Sequence, residues 1–112
     1  MEKQAPQADI TLAILILSWN TADLLADCLR TIPMGAAGIP YHIIVVDNAS
    51  TDGSPQMVRE RFPQVQVLEN NFNAGFAGAN VQALAIARGR YLLMLNPDTL
   101  VPPDGLAQLV AF

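Results

Sequence analysis

Apolar residues along this chain come in short blocks, and polar residues crowd the breaks between them. Leu12–Leu17 is a short, partly β-branched apolar run and predicts a buried strand. Leu24, Leu25, Cys28, Leu29 and Ile32 then recur at helical spacing, so a helix is expected from a cap at Asn20 or Thr21 through Thr31. Pro33 to Pro40, punctuated by Gly35 and Gly38, reads as a loop. A second strand is expected at His42–Val46, ending at Asp47, followed by a polar turn from Asn48 to Gly53. Ser54 is expected to cap a short helix that has Pro55 at its first position and ends at Pro63. Val65–Leu68 predicts a third strand, and Asn70 to Gly78 a loop rich in asparagine and glycine. A third helix is expected to run to Arg88 and stop at Gly89. Tyr91–Leu95 predicts a fourth strand, broken at Asn96-Pro97-Asp98. A last amphipathic helix, with Leu106, Leu109 and Val110 on one face, is expected from Pro103 to Phe112.

Strand and helix alternate strictly, which implies an α/β fold: a Rossmann-like, mostly parallel sheet with flanking helices joined by right-handed crossovers. Coverage on both faces explains strands without polar alternation. In open sheets of this type ligands bind outside the carboxyl ends of the strands, at the point where strand order reverses. Ser18-Trp19-Asn20, Asp47-Asn48 and Asn96-Pro97-Asp98 occupy those ends here, and these ends are also the polar ones.

Composition narrows the picture. The chain has 112 residues, of which 52% are hydrophobic and 14% charged, against about 25% charged in an ordinary domain. That excludes disorder and implies more apolar surface than a domain this small hides by itself. Residues 1–10 read as a flexible N-terminal tail and 11–112 as the folded portion. The net charge is −4, Lys3 is the only lysine, and the arginines form no stripe. A nucleic-acid partner and a polybasic membrane contact are therefore not expected. Cys28 is alone, so it forms neither an internal disulfide nor a thiolate zinc site, and it reads as a small buried hydrophobe. No run approaches the roughly 20 residues of a membrane span, and the start lacks the features of a signal peptide. A cytoplasmic location is expected.

The strand-end residues admit two readings each. Asp47 is either an acceptor for a base N–H or ribose hydroxyl, or a turn carboxylate bonding its own backbone. Asp98, two residues after Asn96, is either a ligand for a hard cation that also holds substrate phosphates, or part of a turn. Trp19 is either core or a stacking surface. Asn73-Ala74-Gly75-Phe76-Ala77-Gly78 has G-x-x-G spacing and follows the third strand, so it is not a dinucleotide fingerprint, though a helix start there can face an anion. No lysine serves a phosphate-binding P-loop, and His42, at a strand start, rules out a Ser/His/Asp set at the strand ends.

Taken in order, these segments resemble the family 2 glycosyltransferases, in particular the rhamnosyltransferase-like branch. The resemblance is carried by Ile16-Leu17-Ser18-Trp19-Asn20, by Val45 through Ser54, by Asn70 through Asn80, and by Ala87 through Thr99. It implies a GT-A fold, a nucleotide-diphosphate sugar with a dTDP- or UDP-linked donor, and a divalent cation, Mg²⁺ or Mn²⁺. It also implies that Asp47 contacts the base and Asp98 holds the metal. Ser18, Trp19, Asn20, Asn48, Gly75, Asn80 and Asn96 would complete the nucleotide site. Asn96 stands where the D-x-D motif has its first aspartate, and Val81 and Ala83 stand where the family often has asparagine and glycine.

The implied chemistry is inverting, metal-assisted transfer of a hexose, rhamnose in that branch, to a glycan or lipid-linked acceptor hydroxyl in polysaccharide biosynthesis. No general base is found among these residues; it is expected beyond Phe112. Residues 11–112 are accordingly expected to be the donor-binding portion of a C-terminally incomplete domain, inactive alone. The full-length enzyme is expected to sit in the cytoplasm or peripherally at the inner membrane face. A non-catalytic nucleotide-binding or scaffolding module is the alternative. A nucleotidyltransferase is disfavoured because the first loop is neither glycine-rich nor basic.

Overall fold

The structure, a computed structural model, describes residues 10–112. The tail expected over 1–10 thus lies outside the described residues, save for Ile10, whose carbonyl accepts the Arg90 amide at 3.2 Å. Four strands form one parallel sheet: β1 (Leu12–Ser18), β2 (Tyr41–Asn48), β3 (Gln66–Asn70) and β4 (Tyr91–Leu95), in the order β3-β2-β1-β4. Four helices connect and flank them: α1 (Ala22–Ala36), α2 (Ser54–Arg61), α3 (Gly75–Ile86) and α4 (Gly105–Ala111).

β1 sits inside the sheet because both of its faces are apolar. Leu12, Ile14 and Ile16 pack with Leu25, Cys28, Leu29 and Ile32 of α1, with Val58 of α2, with Val101, and with Leu106 of α4. On the opposite face Leu15 joins Ile44, Val46, Ala79 and Ala83 under α3. Each fully buried aliphatic side chain contributes about 1.5–3 kcal/mol relative to exposure. The first two crossovers lie on one face and the third on the other, so strand order reverses between β1 and β4.

Several helix boundaries differ from those expected. α1 does not stop before Pro33 but continues to Ala36. A proline in a helix removes one amide and crowds the preceding turn. Here the extra turn is held from outside: Ile32 and Ala36 are buried, and Gly35 lies so close to Val101 that a Cβ would collide with its Cγ1. The Asp104 amide also donates to the Met34 carbonyl at 3.2 Å. α2 is preceded by Gly53 at φ 82°, and the Ser54 hydroxyl donates to Asp52 instead of capping the helix. α3 starts at Gly75, inside the segment expected as loop, and ends at Ile86. Gly89 does not cap it in a left-handed conformation; a Cβ there would stand 2.7 Å from the Ala13 amide nitrogen, so glycine is needed for close approach to β1.

Two-sided coverage holds for β1 and β2 but not for β4. Leu92 and Met94 are exposed on it, as are Val81 and Leu84 on α3. Among the described residues no helix is long and apolar enough to cross a membrane.

Candidate functional site at the strand ends

Parallel strands bring their carboxyl ends to one edge, and the register pairs Ser18 with Asp47 and Asn48 with Asn70. The loops leaving β1 and β2 are locked together there. The Asn20 amide donates to Ser50 Oγ at 2.8 Å, and Ser50 Oγ donates onward to Asp47 Oδ1 at 2.7 Å. Asn20 Oδ1 accepts the Thr51 amide at 2.8 Å, which helps to hold Asn20 at φ 53°, a left-handed conformation that asparagine tolerates. Ser18, fully buried, shares a hydrogen bond with the Thr21 hydroxyl at 3.0 Å.

Asp47 is 1% exposed, and its second oxygen accepts the Ser50 amide at 2.9 Å. It therefore makes the turn bonds open to an aspartate at this position. Two further acceptor positions on its oxygens are not taken up by Ser50. Asp52 does more than shape the turn. Its Oδ2 accepts the Ala22 amide at 3.0 Å, so it caps α1 from the neighbouring loop, while Oδ1 takes the Ser54 amide and hydroxyl. Desolvation works to raise its pKa, but the bonds from Ser54 and Ala22 prevail and hold it below the usual carboxylate value.

The third strand end lies across the reversal point. Asn80 and Phe76 of α3, Leu17 of β1, and Asn96 and Pro97 after β4 line one crevice. Asp98 follows on an exposed loop, and no hydrogen bond or ion pair takes up its carboxylate among the described residues. No group of three or more acidic, histidine or cysteine side chains converges there among the described residues. One free carboxylate beside Asn96 fits a Mg²⁺-like ion that takes most of its ligands from phosphate and water.

That loop is strapped to α1. Cys28 Sγ lies 3.9 Å from the Asn96 carbonyl, and the Val101 amide donates to Thr31 Oγ1 at 2.9 Å. Burial, with the nearby Asp98 charge adding to it, pushes the Cys28 thiol up to about 11.

The structure thus sets Ser18 beside Asp47 by strand register, links Asn20 to Asp47 through Ser50, and places Asn80 and Asn96 in one crevice. Asn48 is 2% exposed and its amide is engaged inside the protein, with Gly75 as one partner. Trp19 is 56% exposed at the rim, which excludes the core reading. His42 stands away from this edge, paired with Gln66 at 3.0 Å. Phe76, Gln82 and the Thr31 strap were not anticipated; no local pattern announces contacts made across so many residues.

The sequence profile described as Glycosyl transferase family 2 matches residues 13–112. The chain belongs to that family. The architecture is accordingly the GT-A type of Rossmann-like sheet. A succinoglycan biosynthesis protein, ExoO, of Rhizobium meliloti (strain 1021) is 28% identical over 103 residues, covering 91% of this chain and 29% of the relative. The poly(ribitol-phosphate) beta-glucosyltransferase of Bacillus spizizenii is 31% identical over 110 residues, covering 90% of this chain and 17% of the relative. Among solved structures, the mannosyltransferase PcManGT from Pyrobaculum calidifontis, in complex with GDP-Man and Mn²⁺, superposes with a TM-score of 0.77 at 28% identity. That match covers 94% of this chain and 32% of the other. The chain spans under a third of the length of each of these family 2 proteins.

Proposed function

We propose that this chain is the donor-binding portion of an enzyme that transfers a sugar from a nucleotide-diphosphate sugar to an acceptor hydroxyl in polysaccharide or glycan biosynthesis. Family membership supports the reaction class, and one observation carries the site: the polar ends of β1, β2 and β4 meet at the reversal of strand order. In this reading Ser18, Trp19, Asn20 and Asp47 form the nucleoside side. Asp47 reaches the base or ribose by exchanging its Ser50 hydroxyl bond for one from the ligand, and Trp19 offers a stacking face. Gly75, Asn80 and Asn96 line the sugar-diphosphate side.

Asp98 holds the cation, Mg²⁺ or Mn²⁺, with Asn96 beside it. Such an ion supplies charge stabilisation to the diphosphate leaving group. The surrounding carboxylates alone would repel an anionic donor. The acceptor hydroxyl attacks the anomeric carbon with inversion, and a general base outside these residues removes its proton. Rhamnose is the sugar suggested by the branch resemblance. Glucose and mannose are suggested by the names of the relatives. A cytoplasmic enzyme, peripheral at the inner membrane face, fits a lipid-linked acceptor.

Titration with UDP-glucose, GDP-mannose and dTDP-rhamnose, with and without Mn²⁺, tests the proposal. Binding of at least one that requires the cation and is abolished by Asp98→Ala is expected. Metal-independent binding, or none to the chain or to any longer protein containing it, would favour a non-catalytic module.

A further inference from the structure

The polar network behind α3 goes beyond this assignment of contacts. Asn48, at the end of β2, has both halves of its amide committed. Its Oδ1 accepts from Asn70 Nδ2 at 2.9 Å and from the Ala74 backbone amide at 3.2 Å, while its Nδ2 donates to the Gly75 carbonyl at 3.3 Å. The Ala74 amide is an unambiguous donor, so it fixes which end of the Asn48 amide is the oxygen. Asn70 and Gln82 close a reciprocal amide pair, both bonds at 2.9 Å.

These bonds, together with Asn73 Oδ1, which accepts the Gly75 amide at 2.8 Å, hold the start of α3. Ala74, the residue before its first turn, has no capping side chain of its own, and Asn48 supplies the acceptor from the sheet. Gln82 ties the second turn of the helix to β3 through Asn70. The start at Gly75 puts Phe76 and Asn80, four residues apart, on the helix face that lines the crevice between β1 and β4. A start after Gly78, as the glycine pattern suggests, would leave Phe76 in a loop.

We propose that Asn48 is a positioning residue. By setting the first turn of α3 through Ala74, Gly75 and Asn70, it holds Phe76 and Asn80 as the wall against which a sugar nucleotide binds. It acts through the helix, not on the ligand. The statement rests on the donor-binding reading above for its ligand, but the placement of α3 is testable without one.

The test uses Asn48→Ala, Phe76→Ala and the double variant of this chain. Affinity for UDP-glucose, GDP-mannose and dTDP-rhamnose with Mn²⁺ is read from the fluorescence of Trp19, the only tryptophan, and amide exchange is read residue by residue. Asn48→Ala is expected to weaken binding about tenfold, which corresponds to 1.4 kcal/mol. In the Phe76→Ala background it should weaken binding by less than about twofold, because the wall it positions is already gone. Exchange should quicken over residues 74–80 while β1 and β2 stay protected. Additive losses, unchanged affinity, or exchange that quickens evenly across the sheet would each overturn the proposal. Absence of binding to the parent chain would count against the donor-binding reading, and the exchange pattern would still decide the role of Asn48.

Discussion

Thr31 Oγ1 accepts the amide of Val101 at 2.9 Å and donates to the Cys28 carbonyl at 2.8 Å, joining the first helix to the loop that follows the last strand. With Cys28 under Asn96 and Met34 accepting from Asp104, three positions one helical turn apart along α1 hold the segment that carries Asp98.

Thr31→Val keeps the shape of the side chain and removes both bonds. The Val101 amide is then left beside an apolar group, and an unsatisfied buried donor costs about 1–3 kcal/mol. Urea unfolding should show a loss in that range with an unchanged m-value. If the donor-site proposal holds, Mn²⁺-dependent sugar-nucleotide binding should weaken as well.

The Asp52 carboxylate gives stability a definite pH dependence. Its folded-state pKa lies below the unfolded value of about 3.8 because the Ser54 and Ala22 bonds outweigh desolvation. Its contribution is therefore complete above that value and lost as pH falls through the folded pKa. Asp52→Asn should flatten the stability profile in the acid region below about pH 4, measured by thermal unfolding. Asp52→Ala should cost about 0.5–2 kcal/mol at neutral pH, as the loss of a helix cap does.

Cys28 should resist modification in the folded chain. A thiol at about 11 is almost wholly protonated at pH 8, and the side chain is fully buried. Labelling by a small disulfide reagent should be slower by more than about tenfold in native buffer than in denaturant. Rapid native labelling would mean that α1 opens on the labelling timescale.

Gly89→Ala should destabilise the chain although it narrows the unfolded ensemble. The added carbon would stand 2.7 Å from the Ala13 nitrogen and 3.1 Å from the Leu12 carbonyl carbon, both main-chain atoms of the central strand. Neither can turn aside as a side chain would, and overpacking of this kind costs about 1–3 kcal/mol. The midpoint of chemical unfolding measures it.

The four strands were legible as apolar runs because a strand buried on both faces needs no other signal. Alternation and handedness implied a parallel sheet but not its order, which depends on which face each helix covers, and the polar strand ends marked the edge where the loops converge. What escaped was decided by distant partners. α1 outruns Pro33 because Val101 and Asp104 grip its last turn, and α3 starts early because Asn48 accepts the Ala74 amide just before it and Asn73 that of Gly75. Asp52 looked like a turn residue and is one, but its other oxygen caps a helix thirty positions earlier in the chain. Phe76 gave no sign of lining the crevice, since its role depends on where α3 begins.

The central position of β1 has a consequence for how the chain reaches this state. β1 finds one neighbour soon, in β2, but its other edge waits for Tyr91–Leu95, so Leu12 pairs with Tyr91 across two intervening strands and three helices. During synthesis this apolar strand therefore emerges before either of its partners and is sealed only when β4 has followed. Contacts of such long range slow folding and leave a sticky edge open in the meantime. Slow refolding after dilution from denaturant, with losses that grow with protein concentration, is the behaviour this topology imposes.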